Sequence, residues 1–395
     1  MPVGTPFHPR TAALCGSLSY RDWAGYYAVS SYETHHEHEY NAIRNGAGLI
    51  DIAPLYKYGV RGPDACLLID RVITRDAHRI RVGQVVYTSW CDGAGKILDD
   101  GTVQRLGETR YRWTAAEPSL RWILRNAAGL DVQVSDESQS TAALALQGPT
   151  SRALLRDCAD LDVDALRYFR VAAGRVAGIP VEVSRTGYTG DLGYELWVAA
   201  DRALELWDAL VAAGRPHGLL PAGLIALDVS RIEAGLMLLD VDYVGARTAL
   251  IPSQLYTPLE LGLERLVHLD KAPFVGQAAL RAEARRGPAR RLVGLEVDWA
   301  DFEALWETAG LPPQTPGIPS RSPVPVYREA DQVGKATSTA WSPTLKKLIA
   351  LGTVVSDAAE PGTPLRMEVT VDARRESVTA RVAELPFFDP PRKRA

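Results

Sequence analysis

The stretch Ser184-Arg185-Thr186-Gly187-Tyr188-Thr189-Gly190-Asp191-Leu192-Gly193-Tyr194-Glu195-Leu196 constrains this chain more than any other. It follows the apolar run Ile179-Pro180-Val181-Glu182-Val183 and sets three glycines within seven residues between alternating segments. That pattern predicts a strand, a tight turn needing positive φ or close backbone approach, and a second strand. Glu195 falls on the second strand, between Tyr194 and Leu196. A carboxylate with apolar neighbours is costly to bury unless a cation or several donors meet it, so Glu195 is a candidate ligand hook. Two parallel N–H bonds to a carboxylate suit an amidine-like edge, such as a guanidinium or the 2-amino-4-oxo edge of a pterin. The plainer reading is a β-hairpin whose Glu pairs with a nearby Arg, and this stretch alone leaves both open.

At 395 residues the chain exceeds one ordinary core, which implies two or three domains. With 46% hydrophobic and 23% charged residues it reads as globular, not disordered. A net charge of −4 gives no nucleic-acid footprint. No apolar run approaches the roughly 18 residues of a membrane span, and the N-terminus has no basic region followed by an apolar stretch. The expectation is a cytoplasmic protein without a membrane partner. Cys15, Cys66, Cys91 and Cys158 lack CxxC spacing, so neither a zinc site nor a disulfide framework is indicated.

Residues 31–45 are polar and helix-compatible, with His35, His36 and His38 beside Glu37 and Glu39. His35 and His38 would share a helical face and offer two imidazoles to a metal, but no further His or Cys cluster completes a shell. A solvated face is the plainer reading. From Tyr56 to Val134 strand signals alternate with a Pro63-started helix and with helical spacing at Leu120, Ile123 and Leu124. Strand runs at 85–90 and 96–103 flank the Asp92-Gly93-Ala94-Gly95 turn. Strand and helix patterns then lead through the opening stretch to helices over 203–214 and 224–234, an α+β layout. Beyond Gly276 an Arg-rich helix and linker precede β-rich runs, which predict a separate all-β C-terminal domain.

Several of these stretches coincide with one pattern: Ala47-Gly48-Leu49-Ile50-Asp51, Gly95-Lys96-Ile97-Leu98-Asp99-Asp100, Ala145-Leu146-Gln147-Gly148-Pro149, Ser184 to Leu196, Pro221-Ala222-Gly223 with Arg231-Ile232-Glu233-Ala234-Gly235, Phe274-Val275-Gly276, and Ser342-Pro343-Thr344-Leu345. In that order they make the chain resemble the aminomethyltransferase (glycine-cleavage T-protein) family of tetrahydrofolate-dependent one-carbon transferases. The resemblance implies a three-domain cloverleaf with antiparallel sheets flanked by helices, an all-β C-terminal domain and folate in a central channel. It divides the chain into 1–53 with part of 115–280, a second α+β unit within 54–225, and a C-terminal β-barrel or jelly roll over 290–395. It implies that Glu195 takes the pterin edge, that Tyr188, Tyr168 and Tyr87 lie near the cofactor, and that Arg231 and Asp242 are polar positions of the central region. Asp100 matches the essential acid beside N5 of tetrahydrofolate. A carboxylate there can stabilise developing cationic character or relay a proton, while positioning supplies much of the rate. A solvated turn exit is the plainer reading of Asp99-Asp100.

The departures fall on the donor side. Leu227 stands where the family pattern has Arg, Ala53-Pro54-Leu55 replaces Ser-His-Met, Thr114-Ala115 replaces Ser-Asn, and Leu239-Asp240-Val241 lacks a Gly-Gln. Residues 244–256 enlarge a loop. A retained cofactor hook with altered neighbours suits a different carbon donor. The preferred reading is therefore a demethylase-like methyl or methylene transferase acting on a small-molecule one-carbon donor; Trp90, Trp113 and Trp23 are candidate pocket walls, with core packing the plainer reading of each. The alternative is the glycine-cleavage aminomethyltransferase, which needs a lipoyl carrier protein. A second alternative is a non-catalytic folate binder of iron–sulfur assembly, although Lys271-Ala272-Pro273-Phe274-Val275-Gly276-Gln277 lacks that group's cysteine.

Overall fold

A computed structural model describes residues 1–395 and places three β assemblies along the chain. The first is a six-stranded sheet in the order Val171–Val176, Ile179–Ser184, Gly193–Ala199, Thr141–Gln147, Ala47–Asp51, Leu219–Pro221. All neighbours run antiparallel except the last pair, which is parallel. Apolar residues on alternate positions of these strands, such as Leu144, Leu146, Val183, Tyr194 and Leu196, meet the helices Ser151–Cys158 and Ala203–Gly214 in the largest core.

The second assembly is a five-stranded sheet in the order Gln84–Cys91, Ile97–Gly107, Arg110–Ala115, Tyr56–Arg61, Gln133–Asp136. The helices Ala65–Val72 and Leu120–Asn126 cover one face, where Trp90 and Trp113 meet edge to face at 5.1 Å. Both indoles are fully buried, so these two tryptophans are core, the plainer of the two readings, and not pocket walls.

The third is a closed six-stranded barrel in the order Arg290–Val297, Lys347–Val355, Asp331–Ser342, Val324–Arg328, Pro364–Val371, Arg374–Ala383. Closure leaves no free edge. The fold is thus α+β with a β-barrel at the C-terminal end.

Two local expectations change. The helix expected over 31–45 begins only at Glu37, because Glu39 turns back to accept the backbone N–H groups of Tyr32 and Gly223 at 2.6 and 2.7 Å. His35 and His38 therefore do not share a helical face; His38 instead contacts Glu33 at 2.9 Å in solvent. The N-terminal hairpin Ser19–Trp23 and Tyr26–Ser31, turned at Ala24 and Gly25 with positive φ at both, was not legible as an element.

Candidate active site

The opening stretch folds as a strand, a turn and a strand because of one side chain beneath it. Gln147, at the end of the neighbouring strand, donates from Nε2 to the Thr186 carbonyl at 3.2 Å and the Tyr194 carbonyl at 3.3 Å. Its Oε1 accepts from the Thr189 hydroxyl at 2.8 Å. A Cβ at either Gly187 or Gly193 would overlap that amide, which is why both positions must be glycine. Two of the motifs are therefore one piece of structure.

Glu195 pairs in register with Ser184 and Ala145 on the central strands of the first sheet. Its Oε2 accepts from the Thr186 hydroxyl at 2.7 Å and from the Ser184 hydroxyl at 3.4 Å. No arginine or lysine reaches it, and Oε1 has no protein donor. Burial raises its pKa, opposed by the two hydroxyls. The hairpin with a Glu–Arg pair is therefore not what this structure contains.

Asp100 pairs with Ser89 in the second sheet. One of its oxygens accepts from the Tyr87 hydroxyl at 2.8 Å, and the other accepts from the Tyr243 hydroxyl. Its own N–H donates to Asp99 at 2.7 Å, and Asp99 also accepts the Glu117 N–H at 2.9 Å. Burial and the adjacent charge push Asp99 well above the carboxylate range. Burial raises Asp100 too, but two phenol donors favour its ionised form. Two adjacent acids whose pKa values burial raises, with phenol donors on one of them, can accept or relay a proton.

Tyr188, from the turn of the opening stretch, lies near the acid of the second sheet. Its hydroxyl donates to the Met237 carbonyl and lies within the electrostatic reach of Asp100, Arg231, Asp242 and Asp228. Tyr87, Asp100, Tyr188 and Glu195 share one property: protein surrounds each of them, yet each keeps accessible surface. Tyr87, Tyr188 and Asp100 also lie within one another's electrostatic reach.

The remaining candidates sit differently. Arg231 is fully buried and saturated, donating to Asp228 at 3.2 Å, Asp242 at 2.5 Å and Ser338 at 2.7 Å. Asp242 also accepts from Leu238 N–H at 2.8 Å and from Thr337 and Ser338 at 2.6 Å each. These two residues fasten the helix Leu224–Glu233 to the barrel and keep no free polar edge for a ligand. Tyr168 packs edge to face on Phe169 at 4.7 Å, with the Lys393 ammonium 5.9 Å from its ring, at the C-terminal tail and without contact to the Asp100 group. Sequence reasoning missed Tyr243, Ser184 and Thr186 as acid partners. Tyr243 directly follows Asp242, and the other two lie inside the opening stretch, but hydroxyl pairing across strands has no linear signature.

Fold and site together define an α+β protein that holds Asp100 on two tyrosine hydroxyls in the second sheet and Glu195 with one carboxylate oxygen free of protein donors in the first. The GCVT N-terminal domain matches residues 7–271, and the glycine cleavage T-protein C-terminal barrel domain matches residues 290–389. An aminomethyltransferase of Halothermothrix orenii is 36% identical over 354 residues, covering 89% of this chain and 90% of its own. One from Streptomyces coelicolor is 37% identical over 375 residues, covering 93% of each. A crystal structure of the glycine cleavage system aminomethyltransferase T from Bartonella henselae superposes with TM-score 0.83 at 25% identity, covering 98% of this chain and 99% of that one. The chain belongs to the aminomethyltransferase (glycine-cleavage T-protein) family, which comprises tetrahydrofolate-dependent one-carbon transferases. The relatives' names agree with the glycine-cleavage alternative and not with a demethylase. No helix is long and apolar enough to cross a membrane.

Proposed function

We propose that this chain binds tetrahydrofolate between its two sheets and catalyses one-carbon transfer at N5, with an aminomethyl group as the first donor to test. The observation that carries the reading is Glu195 Oε1, an accessible carboxylate oxygen on a central strand with neither a cation nor a protein donor. Such an atom is free to accept from a ligand, and a pterin's amino edge offers the donors. When bound, the folate supplies a nucleophilic nitrogen. Glu195 anchors the ring, Tyr87 and Tyr243 hold the Asp100 carboxylate in place, and Asp100 takes or returns the proton exchanged at that nitrogen. Tyr188, with its hydroxyl tied to Met237, lies within electrostatic reach of Asp100.

A second donor is favoured by one feature. Leu227, Leu55 and half-buried Trp23 each pack against the core cluster that contains Trp197, an apolar region where the family pattern carries an arginine. That region suits a small methylated donor. Calorimetric titration with tetrahydrofolate, followed by incubation with an aminomethyl lipoyl carrier or with methylamino and methoxy compounds, tests both levels. Absence of folate binding overturns the reading entirely. Folate product from the carrier alone supports the glycine-cleavage donor, and product from a small compound alone supports the second.

A further inference from the structure

The arginine missing at position 227 is replaced in space by two others. Asp228, the next residue, is buried, and three guanidinium groups converge on it. Arg231 takes Oδ1 at 3.2 Å. Oδ2 is shared by Arg21 Nη1 at 3.2 Å and by Arg321, with Nε at 2.8 Å and Nη2 at 2.6 Å. Arg21 comes from the N-terminal hairpin and Arg321 from the segment entering the barrel, so three separate parts of the chain build this cluster.

The charges do not balance. Arg231 is neutralised by Asp242 at 2.5 Å, which leaves Asp228 alone between Arg21 and Arg321. No other acid pairs with either one. Both arginines keep accessible surface, with side chains 26% and 34% exposed against 3% for Asp228. Arg21 donates from Nη1 only, and Arg321 leaves Nη1 without a partner. Two guanidinium groups held together by one buried carboxylate, with donors to spare, form a fork that accepts a carboxylate bidentately.

The cluster lies beside the proposed chemistry. Arg21 and Trp23 are two apart on one strand and so share a face. Trp23 and Leu227 pack against the same buried cluster, and Leu227 directly precedes the Asp228 that Arg21 bonds, which sets the guanidinium near both. The Asp228 charge reaches the Tyr188 hydroxyl, as does that of Asp100.

We infer that Arg21 and Arg321 form a clamp for the carboxylate of a small one-carbon donor, whose apolar body lies on Leu227 and Trp23 with its methyl-bearing end toward Asp100. The clamp rests on the folate-dependent reading and deepens its second form. A lipoyl-bound aminomethyl group has no such carboxylate, and the only other carboxylate at hand is that of folate's own glutamate.

The test uses the full chain loaded with tetrahydrofolate and titrated calorimetrically with N-methylglycine and with N-methylglycinamide, which differ only in the carboxylate. The wild type binds the acid about tenfold more tightly than the amide, and Arg21→Gln and Arg321→Gln each bring that ratio near unity. Because the two arginines sit on different elements, either variant that melts like the wild type suffices. Equal affinities, no heat from either compound, or a preference that survives both substitutions overturns the clamp while leaving folate binding as its own readout. If the variants weaken tetrahydrofolate but not a tetrahydropterin lacking the glutamyl tail, the clamp serves folate and the donor assignment is wrong.

Discussion

Replacing Glu195 by Gln separates a ligand hook from a structural residue, because the two roles move stability and affinity in opposite directions. In the folded protein this carboxylate is supported by two hydroxyls, at 2.7 and 3.4 Å, and by no cation. Burial raises its pKa above the ordinary 4.5. For an acid with a raised folded pKa, the folded state holds more protons than the unfolded state between the two values. Ionisation therefore costs stability as pH rises through that window, and the cost persists at pH 7. Gln removes the charge and keeps the shape, so the ligand-free variant melts at the same temperature or roughly 1–3 °C higher. Folate binding moves the other way. A pterin edge offers two donors; the carboxylate accepts both, whereas the amide accepts one and presents a competing N–H. Loss of one charge-assisted hydrogen bond is about 1.5–3 kcal/mol, or roughly 10- to 150-fold in Kd. The wild-type affinity also falls on acidification, starting above the range of a solvated glutamate, and the variant's affinity stays flat over that range. Calorimetry with tetrahydrofolate at several pH values, with thermal melts of both proteins, reads all three quantities. A variant that is less stable but binds folate as the wild type does would show that Glu195 serves the fold.

Asp100→Asn keeps folate affinity within about threefold and lowers turnover by roughly 10²–10⁴, read as single-turnover formation of the one-carbon folate. Unchanged turnover would remove Asp100 from the chemistry. Lys57 is fully buried, donating to the Ala53 and Leu55 carbonyls at 2.6 Å each, and burial lowers its pKa to about 8. The unfolded state then binds the proton more strongly between that value and 10.5, so wild-type stability rises relative to Lys57→Met from pH 8 to 10, on the order of 2–3 kcal/mol by denaturant titration. Trp113→Ala removes a fully buried indole from its contact with Trp90 and costs about 3–5 kcal/mol in the same titration. A small loss there, with altered donor KM, would return this tryptophan to the pocket.

What the sequence made legible was local. Helix 203–214 follows from its own periodicity and ends where expected, and the strand expected over 141–146 runs one residue further, to Gln147. The strand Asp331–Ser342 was invisible because its middle, Lys335-Ala336-Thr337-Ser338, has no apolar alternation. Its Thr337 and Ser338 hydroxyls face Asp242 inside the protein instead. Arg231 and Asp242 were legible as important but not in kind, since a buried pair fastening a barrel and a pair touching a ligand use the same residues. The loss of charge at Leu227 was legible, whereas its replacement by Arg21 and Arg321 was not, because those residues are roughly two hundred and one hundred positions away along the chain.

The two acids of the proposed mechanism belong to different sheets, so the distance between them is set by contacts that neither motif contains. Arg112, from the second sheet, is bonded to Glu182 of the first and lies 5.1 Å over the Trp197 ring, two residues beyond Glu195. Nearby, Val85 N–H donates to the Phe169 carbonyl at 3.0 Å and Gln84 bridges to Arg170, joining the strand that carries Tyr87 to the first sheet. The turn bearing Tyr188 is held from a third direction. Arg44 donates to the Thr189 carbonyl at 2.9 Å while paired with Glu233 at 2.5 Å, and Arg392 from beyond the barrel grips Asp191 at 2.7 and 2.8 Å. Glu233 in turn accepts from Ser342 at the end of a barrel strand. The barrel contributes Arg321 to the donor clamp but no side chain to Asp100 or Glu195. Its main work is to fix the helix and turn that carry Tyr188 near Asp100, which is a positioning role of the kind that governs rate when two reactants must be aligned.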